Sequence, residues 1–154
     1  RQLLKDSGFP GMKVLEFAFD SRDGGGSDYL PHNFSKHCVA YTGTHDNETI
    51  LGWMESAPPA DVAYAREYLR IDEREGANWT MMRSIWQSVA NTAVVQMQDL
   101  LDLGGEARMN EPSTVGKNWK WRAIPGFDSP DLAARLYRET KIYCRTPWQK
   151  EEST

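Results

Sequence analysis

The sequence is short of the residues that build disulfide frameworks and metal centres: its 154 residues hold two cysteines and three histidines. Cys38 and Cys144 lie far apart, with no CxxC pair and no secretory apolar segment ahead of them. That excludes a disulfide scaffold and predicts a reducing, cytoplasmic setting. Long apolar runs are also missing; nothing approaches the roughly 18 residues that a membrane span needs, so no membrane partner is expected. An excess of positive charge is absent, since 18 Lys and Arg face 22 Asp and Glu for a net charge of -4. Nucleic acid and anionic surfaces are therefore poor partners, and a neutral ligand fits better. The chain contains no GxGxxG or Walker motif to cradle phosphate and no nucleophile elbow around a serine or cysteine.

His32, His37, Cys38 and His45 are possible metal ligands, but their spacings match no zinc pattern, and no metal is expected. No initiating methionine stands at the start. "RQLLKDSG" reads as the end of an amphipathic helix with Leu3 and Leu4 inward and Gly8 as its stop, so the expectation is a chain that starts inside a longer one.

What is present is 40% hydrophobic residues, enough for one domain with a core. Met12 to Phe19 is an apolar run of strand length, followed by a loop carrying the glycine triplet 24–26. "CVAYTG" predicts a second strand and "TAVVQM" a third. Helices are predicted from Glu48 to Met54, from Asp61 as N-cap through "VAYAREYLRI", and from about Asn78 with Met82, Ile85, Trp86 and Val89 as a core stripe. Asp131 opens a last helix, and residues 146–154 read as a frayed tail. Short strands separated by helices predict an α/β fold with a parallel sheet, whose chemistry sits past the carboxyl ends of the strands. Asp20, the triplet His45-Asp46-Asn47 and the loop around Asn110 all fall at such positions.

Two readings of "GTHDN" stay open. A carboxylate flanked by imidazole and amide can bind sugar hydroxyls and stabilise an oxocarbenium-like transition state; Asp46 or Asn47 could equally cap the helix that follows. The glycine-punctuated loop with Glu106, Arg108, Asn110, Trp119, Trp121 and Arg122 offers aromatic faces and amide or guanidinium groups to a sugar. Its alternative is an internal Glu106–Arg108 ion pair and tryptophans that close the core edge.

"GFPGMKVLEFAF", "YLPHNF", "YTGTHDNETILGW", "QDLLDLGGEARMN" and "GKNWKWR", in this order, resemble the 4-α-glucanotransferase family, also called amylomaltase or disproportionating enzyme. The resemblance runs from about Gly8 to Arg145. It implies the C-terminal part of a (β/α)8 TIM barrel, about strands 6 to 8 with their helices, incomplete as a barrel, with all of 1–154 belonging to that fragment. It further implies a bacterial-type cytoplasmic enzyme that moves α-1,4-glucan segments between maltooligosaccharides or to glucose, without a cofactor, by a retaining double displacement. Asp46 matches the transition-state stabiliser. His45, Asn47, Asp20 and Asn110 resemble substrate-binding positions. The nucleophile and the general acid would precede Arg1, so the chain alone is expected to be inactive, poorly soluble and dependent on the missing N-terminal part of its barrel. An α-amylase-like hydrolase fragment and a non-catalytic glucan-binding module are the alternatives. One departure is "NEPST", where Ser113 stands in place of an expected glycine and implies a changed loop backbone.

Overall fold

The computed structural model describes residues 2–22 and 27–146. The glycine triplet and residues 147–154 of the expected tail lie outside them. The chain forms two compact units, Arg1–Ala123 and Ile124–Thr154.

The first unit opens with helix α1 (Gln2–Ser7), stopped at Gly8, whose φ of +69° suits a residue without a Cβ. Leu3 and Leu4 do not turn inward as expected: they are 82% and 44% exposed. Strand β1 (Gly11–Val14) pairs with β2 (Cys38–Tyr41), and β2 with β3 (Thr92–Val94), all parallel, in the order β1-β2-β3. The register sets Val14 beside Tyr41 and Tyr41 beside Val94, so the three strands end at one level. Among the described residues the sheet stays open at both edges, with Met12 and Val94 partly exposed there.

The predicted strand from Met12 to Phe19 is cut short. After Val14 the chain tightens into a 3-10 turn over Leu15–Phe19. The reason is spacing: Leu15, Ala18 and Phe19 sit three and four apart, and a helical turn buries all three together while Phe17 stays half exposed. A continued strand would send Leu15 and Phe19 to the face opposite Ala18.

Helix α2 (Ile50–Ser56) is capped by Thr49, whose side chain accepts from the Gly52 N–H at 3.1 Å. Helix α3 (Pro59–Leu69) starts on Pro59, and Asp61 is not its cap: it lies in the first turn and accepts from the Ser21 N–H at 2.9 Å. Helix α4 (Gly76–Trp86) buries Met82, Ile85 and Trp86, whereas Val89 falls beyond its end and is 58% exposed. Helix α5 (Met97–Leu100) follows β3. Phe19 packs among Trp53, Tyr64 and Tyr68 with ring centroids 5.8 to 6.0 Å away, which ties the turn after β1 to α2 and α3.

Asp99, fully buried in α5, accepts from the Ile50 N–H at 2.8 Å and from Thr42 Oγ1 at 3.1 Å. It thereby fastens both ends of the segment between β2 and α2. In the second unit, helix α6 (Pro130–Ile142) is capped by Ser129, which accepts from the Leu132 N–H at 3.2 Å; Asp131 stands in its first turn.

Candidate active site

The segment leaving β2 closes on itself. Asn47 Oδ1 accepts from the Thr44 N–H at 2.9 Å and from Thr44 Oγ1 at 2.7 Å, while the Asn47 N–H donates to Thr44 O at 3.0 Å. Asn47 thus shapes the turn from within. With those partners satisfied, His45 and Asp46 project outward, their side chains 56% and 48% exposed. Neither Asp46 nor Asn47 caps α2, because Thr49 does. The capping explanation of the polar triplet is excluded on that ground.

A second loop, from the 3-10 turn Gly105–Ala107 onward, is built onto the first. The Asn110 N–H donates to His45 O at 3.0 Å, and Asn110 Nδ2 donates to Asp46 Oδ1 at 2.6 Å. His45 Nε2 lies 3.3 Å from the same carboxylate oxygen, and its ring centroid is 5.1 Å from that of Trp119. Asp46 is therefore held from two sides beside an aromatic face that is itself 55% exposed.

Arg108 is not paired with Glu106. It donates from Nε to Asn110 O at 2.9 Å, from Nη2 to Asp46 O at 2.7 Å, and from Nη1 to Glu48 Oε1 in a short ion pair. Glu106 instead accepts from the Gly104 N–H at 3.0 Å. Each guanidinium nitrogen of Arg108 thus donates to the protein, and the side chain clasps the two loops together. Close packing adds to the clasp: a Cβ on Gly52 would collide with Glu48 Oε2 and meet the Gly105 backbone at 3.0 Å, so α2 and the second loop meet through two glycines.

The loop continues to Trp119 around Asn118, whose Oδ1 accepts from the Glu111 N–H at 3.0 Å and whose Nδ2 donates to Thr114 O at 3.0 Å. The Lys117 ammonium beside Glu111 holds that carboxyl below the usual range. Inside this loop Ser113 has a φ of +66°, the conformation that a glycine adopts freely. A side chain there costs about 1–2 kcal/mol, partly offset by the larger unfolded-state freedom of glycine. Ser113→Gly is expected to stabilise the protein by up to about 1 kcal/mol, read as a higher urea midpoint at unchanged slope; a lower midpoint would contradict the strain.

The sequence grouped Asp20 with these residues. The structure sets it at the end of the turn after β1, where it accepts from Arg22 Nε at 2.7 Å and Nη2 at 2.6 Å, and Arg22 pulls its carboxyl down to about 2. No hydrogen bond or ion pair joins it to Asp46 among the described residues. Trp121 is half-buried, and its carbonyl accepts from Arg122 Nη1 at 2.7 Å. The four possible metal ligands are scattered among separate partners: His32 on Tyr68, His37 on Gly8 O, His45 on Asp46, and Cys38 in the core.

Two carboxyls beneath the site escaped the sequence reading. Glu16 is 7% exposed, and burial, reinforced by Asp99 and Glu48 and opposed by Arg108, pushes its pKa up to about 9. Burial likewise pushes Asp99 up to about 6, against the hydrogen bonds from Ile50 and Thr42 that lower it. A signal for Glu16 was available, since it is the only charged residue in the run Val14–Phe19. The Arg108–Glu48 pair also borders a cleft of about 530 Å³ with Glu55, Glu106 and Lys117 in its walls; Asp46, His45 and Asn110 are not among them.

Residues 1–125 match a family model described as 4-alpha-glucanotransferase. A 4-alpha-glucanotransferase of Clostridium butyricum is 51% identical over 147 residues, 94% of this chain and 29% of that protein; one of Thermus thermophilus is 48% identical over 88% of this chain and 28% of its own length. Among solved structures, an amylomaltase of Streptococcus agalactiae in complex with acarbose superposes with a TM-score of 0.88 at 43% identity, over 94% of this chain and 29% of that one. The chain thus spans less than a third of the proteins it matches.

Proposed function

The chain belongs to the 4-alpha-glucanotransferase family, and on that premise we propose that it is the part of such an enzyme that supplies the transition-state-stabilising carboxylate, Asp46. The observation that carries the reading is the setting of that carboxylate. It is open to solvent, fixed by Asn110 and His45, and flanked by an exposed tryptophan ring. A sugar ring stacked on Trp119 would find His45 and Asp46 at its edge. Substrate binding falls to His45 and Asn110, with Asn47 shaping the turn. Asp20 is assigned a separate substrate contact, with its carboxylate pre-oriented by Arg22.

The parent reaction is transfer of an α-1,4-glucan segment from a maltooligosaccharide to another glucan or to glucose. A nucleophilic carboxylate forms a covalent glycosyl-enzyme, a second carboxyl serves as acid and then base, and no cofactor takes part. Asp46 acts by charge alone: it opposes the positive charge that develops on the ring as the glycosidic bond breaks. The acarbose bound by the similar amylomaltase supports a saccharide as the ligand class. Nucleophile and acid/base are assigned to the rest of a (β/α)8 barrel of which this chain carries about strands 6 to 8. The open parallel sheet, with both edges unpaired among the described residues, supports that assignment. Free Cys38 and Cys144 fit a cytoplasmic enzyme.

The test is product analysis. The complete enzyme carrying this segment, given a maltooligosaccharide of one length, is expected to produce chains both longer and shorter than the substrate. Shorter chains alone would replace the transferase reading with a hydrolase.

A further inference from the structure

Glu16 lies directly under the site without touching it. Its backbone N–H donates to Thr42 O at 3.2 Å, which sets its side chain beside the first residues of the turn that bears Asp46. The fit is close: a Cβ on Gly43 would meet Glu16 Oε1 at 2.6 Å, Gln96 Nε2 at 3.1 Å and Asn47 Cβ at 3.2 Å. Oε1 is fully enclosed and accepts no hydrogen bond from any described group. The charged groups that face Glu16 are Asp99 on α5, Glu48 at the end of the Asp46 turn, and Arg108 on the second loop. Two are carboxylates, and the guanidinium of Arg108 is already committed to Glu48, Asp46 O and Asn110 O. An anion here would be enclosed, close to like charges and short of donors; a carboxylic acid has no charge to desolvate and none to be repelled by its neighbours.

We propose that Glu16 is a positioning residue that works as a neutral carboxylic acid, filling the space under Gly43 and keeping the Asp46 turn in register for as long as it holds its proton. This rests on the transferase reading of Asp46. The proton is retained through the neutral range, since burial and the neighbouring carboxylates set its loss near pH 9. The linkage has a definite sign. The stability contributed by neutral Glu16 is complete below its ordinary value of 4.5 and is lost as pH rises to about 9. Above that the turn carries an uncompensated charge.

The experiment uses the complete enzyme and its Glu16→Gln variant, which keeps shape and neutrality. Near pH 7 the variant is expected to hold kcat within about threefold of wild type, with KM unchanged. On the alkaline side wild-type kcat falls as Glu16 ionises, and the variant's decline shifts to higher pH. Infrared spectra report the proton itself: a protonated-carboxyl C=O band, present in wild type near pH 7 and lost with a midpoint near pH 9, is missing from the variant. A loss above about tenfold for Glu16→Gln at neutral pH, superimposable alkaline limbs, or an unchanged band would overturn the proposal. Should Glu16→Gln not fold, the same band difference taken against Glu16→Met, neutral and of similar length, decides. Absence of glucan transfer by the wild type would refute the transferase reading, and the band would still report whether Glu16 holds its proton.

Discussion

Asp46→Asn in the complete enzyme is expected to lower kcat by about a thousandfold while glucan binding changes by less than about threefold. The magnitude follows from charge and distance. A carboxylate about 4 Å from a developing unit positive charge contributes roughly 4 kcal/mol at an effective dielectric near 20, and 1.36 kcal/mol is a factor of ten in rate. Asparagine keeps the size and one oxygen, so the neighbours Asn110 Nδ2 and His45 Nε2 still have an acceptor. Ground-state sugar carries no such charge, and therefore KM should hardly move. Steady-state kinetics with a single maltooligosaccharide, alongside calorimetric binding, separates the two quantities. A variant that turns over near the wild-type rate would remove Asp46 from the chemistry and return the His-Asp-Asn turn to a structural role.

The second large effect is expected at Arg108. Arg108→Met removes the clasp and leaves Glu48, whose side chain is 23% exposed and whose Oε2 already lacks a donor, without its ion-pair partner. Breaking a buried pair from one side costs about 3–5 kcal/mol; the residual exposure of both partners reduces this to about 2–3 kcal/mol. Arg108→Met with Glu48→Gln should recover a good part of the loss, because the penalty lies in the orphaned charge more than in the missing attraction. Denaturant midpoints of the two single variants and the double variant give the coupling directly. Activity should also fall by about tenfold or more in the single variant, since Asp46 O and Asn110 O lose their shared donor. Strictly additive midpoints would mean that Arg108 and Glu48 act separately and that the two loops are joined by the bonds of Arg108 and Asn110 to the Asp46 turn, without the ion pair.

These two residues differ in how far the sequence revealed them. Asp46 stands in a motif of consecutive polar residues after an apolar strand, and that order alone pointed to the carboxyl end of a sheet. Arg108 carried the wrong partner in the sequence reading, because Glu106 is two residues away and Glu48 is sixty. Glu16 was hidden for the opposite reason. It sits in an apolar run whose neighbours made the stretch read as strand, and only the packing of Leu15, Ala18 and Phe19 on one face turned that run into a 3-10 helix.

Whatever depends on neighbours along the chain was legible in the sequence: strand Cys38–Tyr41, the start of the third strand at Thr92, the helices other than α5, the stop at Gly8, the parallel topology implied by the alternation of elements, and the membership carried by motifs in register. Periodicity, turn chemistry and propensity act over a few residues, and these features need nothing more. The tertiary structure alone decided which polar groups meet. Asn110 reaches Asp46 across 64 positions, Asp99 reaches Thr42 across 57, and Glu16 feels the charges of both Asp99 and Glu48 under the turn. Such contacts depend on how three loops leave one sheet, and the protonation of Glu16 depends on the burial that results, so no local pattern encodes either one.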